Sequence, residues 1–195
     1  MSTLGELVLV PSLPHVSDAA LKAFEKTQAV LLYGPRTGSK TRNFAIPEGL
    51  APGPLRELLR IRITQVSSLR PGVFDVVKGK ASGKAERWRE YLETESEVLA
   101  RFSNSDPALV AAKNHHYLAC WADEKLLHAT VLLLCKKAKL KTQKLPPHIR
   151  LRKRGNLVFA FNYGTKNWPL PAKAKLLLGN KVLAPQSVAA WKDHF

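Results

Sequence analysis

The residues from Gly34 to Thr41 have the types and nearly the spacing of a phosphate-binding loop. The string is GPRTGSKT, and it departs from the P-loop pattern G-x-x-x-x-G-K-[ST] only at Ser39, which replaces the second glycine. A P-loop binds phosphate because its backbone N–H groups point inward and a helix N-terminus follows. Here the chain reaches Pro47 after at most one helical turn. The sequence therefore argues against a nucleotide site.

Two pairs of glutamates could act as the acid and nucleophile of a glycoside hydrolase. They lie in the amphipathic segment AERWREYLETESEVLARF, which predicts a helix followed by a strand that begins near Val98. The pairs are Glu86 with Glu90 and Glu93 with Glu97. Residues spaced i,i+4 on a helix have Cβ atoms about 5–6 Å apart. A retaining glycosidase holds its two carboxyl groups about 5–5.5 Å apart. The alternative is a solvated helix face whose carboxylates are neutralised by nearby arginines.

Histidine and cysteine offer little further chemistry. His115 and His116 form a possible metal pair, but no third ligand stands at a useful spacing, and adjacent residues point to opposite faces of a strand. Cys120 and Cys135 lie in apolar segments without a C-x-x-C pattern, as reduced core cysteines of a cytoplasmic protein do. We expect no metal, no cofactor and a cytoplasmic location.

The predicted elements place the loop at the end of a buried strand. LVLV from Leu7 and AVLLYG from Ala29 are short apolar runs typical of strands that are buried on both faces. Between them, Ser17 offers an N-cap for a helix with the sequence DAALKAFEKTQ. Strand, helix and strand with short connections predict a parallel βαβ unit. A later helix is predicted to begin at Asp123, whose carboxylate suits a helix N-terminus.

The pattern of apolar and polar residues changes after Pro147. Short alternating segments separated by Gly-Asn turn signals predict a small antiparallel β unit. We therefore predict two domains, an α/β domain over residues 1–142 and a β domain over residues 146–195.

The charge balance is strongly basic, with 31 Lys and Arg against 15 Asp and Glu and a net charge of +16. Such a surplus attracts polyanions, so a nucleic-acid-binding protein remains an alternative. The basic clusters are not interleaved with aromatic residues as nucleic-acid-binding surfaces are, and we expect nucleic acid to be an unlikely partner. The longest apolar run is too short for a membrane span, and the chain begins without a basic, apolar leader.

Several segments taken in order resemble family 42 glycoside hydrolases, the β-galactosidases. The segments LVLVPSLPHVSDAALKAF, AVLLYGPRTGSKT and PEGLAPGPLRELL are similar to the trimerisation domain of that family, and the tail from Arg150 is similar to its small C-terminal β domain. The chain departs from the family pattern at Arg60, where glycine is expected, and at Asn114 to His116, which replace a glycine-rich turn.

The resemblance implies an α/β fold. It would be an incomplete flavodoxin-like (class I glutamine-amidotransferase-like) doubly wound sheet, followed by a small antiparallel β domain. In the family these domains follow a barrel that carries both catalytic glutamates, and such a barrel needs about 250 residues of its own. We therefore interpret the chain as a β-galactosidase-related, non-catalytic module. The alternative is a small protein with its own β-galactosidase activity through one of the glutamate pairs, which would make β-galactosides its ligands.

The resemblance also implies association, as a homotrimer or with a barrel-bearing subunit. The basic loop lies at the carboxyl end of a predicted strand, where α/β folds present contacts. We expect a protein partner for this interaction loop, which consists of Gly34, Pro35, Arg36, Thr37, Gly38, Ser39 and Lys40.

Overall fold

The computed structural model describes residues 5–192. These residues form two compact units, divided between Thr142 and Gln143. No helix in the described range is long and apolar enough to cross a bilayer.

Three α-helices belong to the first unit: α1 (Asp18–Lys26), α2 (Arg56–Leu59) and α3 (Glu124–Lys137). The N-cap predicted at Ser17 is confirmed, since its Oγ accepts from the Ala20 N–H. The helix predicted from Asp123 is also present, and the Asp123 carboxylate caps it by accepting from the Leu126 N–H. A 3₁₀ turn over Gly53–Leu55 leads into α2. This helix ends at Arg60, which adopts φ +50°, a left-handed conformation that favours glycine at helix C-termini.

Nine strands form the main sheet: β1 (Leu7–Val10), β2 (Val30–Tyr33), β3 (Ile61–Ser68), β4 (Phe74–Gly79), β5 (Gly83–Thr94), β6 (Glu97–Phe102), β7 (Pro107–Ala112), β8 (His115–Leu118) and β9 (Cys120–Ala122). The sheet order is β1-β2-β8-β7-β6-β4-β5-β3, and β9 pairs with β5. The predicted βαβ unit is confirmed, because β1 and β2 pair in parallel around α1. Only β1, β2 and β8 are parallel, so the sheet is mixed rather than parallel throughout.

Helices cover both faces of the parallel strands. Leu31 and Tyr33 of β2 pack with Phe24 of α1 and Leu59 of α2. Val30 and Leu32 point the other way and pack with Leu126 and Leu134 of α3. The alternation along β2 therefore divides the core into two layers.

The helix predicted over the first part of AERWREYLETESEVLARF is wrong, because this part forms β5. The strand predicted to begin near Val98 is present as β6. An i,i+4 spacing of apolar residues is also an even spacing, so it fits one face of a strand equally well. Pairing decides the outcome: β5 forms a hairpin with the preceding strand β4 and also pairs with β3, where Ile61 lies opposite Thr94.

The second unit is built from antiparallel pairs. Its strands are β10 (Ile149–Arg154), β11 (Leu157–Asn162), β12 (Trp168–Pro169), β13 (Lys175–Leu178), β14 (Val182–Leu183) and β15 (Ser187–Lys192). Four form a sheet in the order β10-β11-β15-β13, and β12 pairs with β14. Its small core is centred on Ala160, Ala189 and Trp191.

Candidate interaction site

The loop from Gly34 to Lys40 uses its backbone donors within the chain. Each N–H group in it, Pro35 having none, lies 2.8–3.4 Å from a protein acceptor. In chain order the acceptors are Val10 O, Glu90 Oε1, Gly34 O, Leu13 O, Arg36 O and Pro14 O. A phosphate cradle needs these donors to be free and convergent. The loop is therefore not a phosphate site.

The two glycines of the loop allow other backbone segments to approach closely. Gly38 has φ +69°, and a Cβ there would collide with the Pro52 carbonyl oxygen. A Cβ on Gly34 would collide with the carbonyl oxygen of Pro11. The glycines thus serve packing against the loops that follow β1 and precede α2.

Most of this predicted interaction loop is not accessible to a partner. Gly34, Pro35, Thr37 and Gly38 are buried, Ser39 and Lys40 are half-buried, and Arg36 is exposed. The guanidinium of Arg36 lies over the Trp88 ring, 5.5 Å from its centroid. Within residues 34–40, Arg36 is therefore the residue most open to a partner.

A tight turn directly after the loop exposes two large apolar side chains. Thr41 closes the turn, since its N–H donates to Ala45 O at 2.8 Å and its Oγ1 accepts from the Ala45 N–H at 3.1 Å. Phe44, at φ +59°, is 71% exposed, and Ile46 is 66% exposed. We name residues Thr41–Ile46 the apolar turn. Sequence reasoning missed it, although two bulky apolar residues in a Pro- and Gly-rich loop were a usable signal.

Glu90 anchors the loop from the sheet. The side chain is 2% exposed, and Oε1 accepts from the Arg36 N–H at 2.8 Å and from Trp88 Nε1 at 3.1 Å. Its Oε2 accepts from the Tyr117 hydroxyl at 2.7 Å. Burial raises the pKa of Glu90, although the hydrogen bonds from Tyr117, Trp88 and Arg36 oppose this rise. The carboxylate is therefore a structural acceptor that fixes Arg36.

The other glutamates of the predicted pairs do not form the expected helical arrangement. Glu93 bonds Arg62 at 2.7 Å and Glu97 bonds Lys80 at 2.6 Å, both on the surface. Glu86 is exposed on β5. Four residues along a strand span about 13 Å, so Glu86 and Glu90 are much farther apart than they would be on a helix.

The residue next to Glu90 points to the opposite face of β5 and is also buried. Arg89 is 4% exposed and donates to Asp75 Oδ2 at 2.8 Å, to Asn104 Oδ1 at 2.9 Å and to Asp106. Its guanidinium lies between two aromatic rings, 4.3 Å from the centroid of Tyr91 and 4.0 Å from that of Phe102. The sheet thus holds two charged groups, one under each face.

The two histidines are directed to different faces of β8. His115 Nδ1 lies 3.0 Å from the Tyr33 hydroxyl, and His116 Nδ1 donates to Leu31 O at 3.1 Å. Burial and the nearby Lys137 ammonium lower the pKa of His116 to about 4. Across residues 5–192 we find no group of three His, Cys, Asp or Glu side chains that could hold a metal ion.

Comparison with known proteins shows the family. Residues 5–141 match the model of the β-galactosidase trimerisation domain. The chain belongs to this family. It is 40% identical over 190 residues to β-galactosidase BgaA of Thermus sp and 41% identical over 189 residues to a β-galactosidase of Thermus thermophilus. These matches cover 96% and 95% of this chain but 30% and 29% of the two relatives.

A solved relative shows the same architecture. The crystal structure of the β-galactosidase from the psychrophilic Marinomonas ef1 superimposes with a TM-score of 0.92 at 38% identity, over 97% of this chain and 29% of that one. The chain thus spans about three-tenths of the relatives it matches. It corresponds to the part of these enzymes that contains the trimerisation domain.

Proposed function

We propose that this chain is an association module of a β-galactosidase system. It binds other copies of itself or a subunit that carries the catalytic barrel, and it performs no hydrolysis alone. The observation that carries the proposal is the match to the trimerisation domain over residues 5–141, in a chain that spans three-tenths of its relatives. The relatives are named β-galactosidases, so carbohydrate metabolism is the context we propose.

The finer description of the fold belongs to this proposal. Three parallel strands, with α1 on one face and α3 on the other, support derivation from a flavodoxin-like sheet. The antiparallel strands β3 to β7 make the rest of the sheet unlike that fold. A cytoplasmic location is proposed as well, and it is supported by the free thiols of Cys120 and Cys135.

The contact surface we propose is the apolar turn together with Arg36. Exposed aromatic and arginine side chains are the residues that most often dominate binding energy. Three hydrogen bonds at Thr41, two with Ala45 and one from the Phe44 N–H to Thr41 O, hold the exposed Phe44 in one backbone conformation. This reduces the entropy lost on binding.

Size-exclusion chromatography with light scattering tests the proposal. We expect an oligomer at micromolar concentration, and a shift towards monomer when Phe44 and Ile46 are both changed to Ser. The matched control is Val73→Ser, because Val73 is an exposed apolar residue outside the turn. A wild-type chain that stays monomeric at high micromolar concentration, alone and with a barrel-bearing relative, would contradict the proposed function.

A further inference from the structure

A pocket of about 590 Å³ lies at the amino ends of β2 and β8, at the opposite end of these strands from the loop of residues 34–40. It is bounded by the end of α1, by α2, and by the turns that join β5 to β6 and β7 to β8. Leu58, Ala111 and Ala112 provide apolar wall. This volume is much larger than a metal ion requires and is sufficient for a long side chain.

The pocket is acidic in a chain that is otherwise basic. Four of the 15 acidic residues of the chain line it, and they are Glu25, Glu57, Glu95 and Glu97. Two basic residues, Arg60 and Lys113, also line it. Glu97 is already paired with Lys80, which leaves Glu25, Glu57 and Glu95 as the pocket carboxylates that form no ion pair within residues 5–192.

A buried polar side chain also faces this pocket. His115 is 6% exposed, it lines the pocket, and its ring is held by stacking on Tyr33 and by the Tyr33 hydroxyl at Nδ1. Nε2 has no hydrogen-bond partner among residues 5–192, and it is not one of the atoms closed off from solvent. With its proton on Nδ1, the ring offers Nε2 as an acceptor to an N–H donor.

We propose that this pocket receives a lysine or arginine side chain from a second copy of the chain. An apolar wall suits the methylene stem of such a side chain, and the carboxylates and His115 Nε2 suit its charged end. A trimer with threefold symmetry joins two different patches, so one must complement the other. With a net charge of +16, two copies repel each other unless basic surface meets an acidic site such as this one.

The inference rests on the proposed function, and sedimentation velocity tests it with two variants of equal charge. The pocket variant is Glu25→Gln, Glu57→Gln and Glu95→Gln. The control variant is Glu48→Gln, Glu86→Gln and Glu124→Gln, three exposed glutamates outside the pocket. We expect the pocket variant to weaken self-association about tenfold or more and the control to weaken it much less. Wild-type association should also weaken as salt is raised to about 0.5 M.

Three other results of this experiment would contradict the pocket proposal, and they differ in what they say about the proposed function. If the wild-type chain oligomerises and the pocket variant does so equally well, the pocket is not the contact, although the proposed function stands. Equal weakening of both variants would assign the effect to overall charge and overturn the pocket proposal. A monomeric wild-type chain contradicts the proposed function and this inference together.

Discussion

Arg89 and Glu90 are neighbours in β5, they are buried on opposite faces, and they are stabilised in different ways. Arg89 meets two carboxylates, Asp75 and Asp106, which still reach solvent at 28% and 36% side-chain exposure. Glu90 meets three hydrogen-bond donors that carry no charge at the bonding atom. The comparison shows that a buried charge can be stabilised by counter-charges near the surface or by fixed dipoles deeper inside.

The two solutions have different consequences for neighbouring segments. The ion pairs of Arg89 tie β4 to the turn that contains Asn104 and Asp106. The Glu90 carboxylate instead ties a single backbone N–H, that of Arg36, to the sheet. Burial raises the pKa of Glu90, and this effect outweighs the hydrogen bonds to the carboxylate and the nearby charge of Arg36, which lower the pKa.

The largest effect is expected for Glu90→Ala. The substitution leaves the Tyr117 hydroxyl, the Trp88 Nε1–H and the Arg36 N–H without their acceptor, and each such buried donor costs about 1–3 kcal/mol. We expect a loss of about 4 kcal/mol in the free energy of unfolding, measured by urea denaturation of the monomeric state. A loss below about 1 kcal/mol would show that water replaces the carboxylate and that the site is less closed than described.

Arg89→Met is expected to lower the free energy of unfolding slightly less than Glu90→Ala does. The methionine retains apolar packing between Tyr91 and Phe102, but Asp75 and Asp106 lose their shared cation. Removing one partner of a buried ion pair typically costs about 3–5 kcal/mol, and partial exposure of both carboxylates favours the lower end, about 3 kcal/mol. Urea denaturation measures it, with Arg62→Met as the control at an exposed pair. Equal losses for the two variants would contradict the distinction drawn between buried and exposed pairs.

The pH dependence of stability distinguishes Glu90 from His116, because their pKa values are shifted in opposite directions. The pKa of Glu90 in the folded state is raised above its ordinary value of 4.5, so the folded state keeps this proton at a pH where the unfolded chain has lost it. The stability of the wild-type chain relative to Glu90→Gln should therefore fall as pH rises through 4.5 and level off above the raised pKa. His116 acts in the opposite direction, because its lowered pKa removes stability as pH falls from 6.5 towards about 4. Comparing the two chains removes the histidine contribution, since both retain it. A difference that does not vary between pH 4 and 8 would contradict burial as the main influence on Glu90.

The smallest effect is expected for Arg36→Ala. The substitution removes a guanidinium from the face of Trp88 but keeps the backbone N–H that Glu90 binds. An exposed cation–π contact contributes about 0.5–1 kcal/mol, so we expect a loss of about 0.5 kcal/mol by thermal denaturation. A much larger loss would mean that the guanidinium, rather than the peptide group, holds the loop.

Local signals in the sequence predicted part of this fold. The strand at Leu7, the helix capped by Ser17 and the helix capped by Asp123 each depend on a few consecutive residues, and all three are present. The strand β5 was not predicted, because its identity depends partly on pairing with β3, such as that of Ile61 with Thr94, which no local pattern reports. The alternation of Trp88, Glu90 and Leu92 was the available signal, since these residues share one face of a strand.

The candidate site was less accessible to sequence reasoning than the fold. The loop was located correctly at the end of β2, but burial of most of its residues depends on the loops around Pro11 and Pro52, which are distant in the chain. The role of Glu90 could not be read from its neighbours, because its three donors come from three separate segments. The acidic pocket likewise gathers glutamates from positions 25 to 97.

The saturated hydrogen bonding of residues 34–40 limits what this segment can become in evolution. One codon change, Ser39→Gly, would complete the letters of a P-loop. It would release none of the backbone donors, and the carboxylate of Glu90 would still occupy the N–H of Arg36 as a resident anion. Gain of nucleotide binding would require Glu90 to be lost first, which would leave the buried Tyr117 hydroxyl and the partly buried N–H groups of Trp88 and Arg36 without their acceptor. A single substitution could therefore give a descendant of this chain the P-loop sequence, but that substitution alone would not give it nucleotide binding.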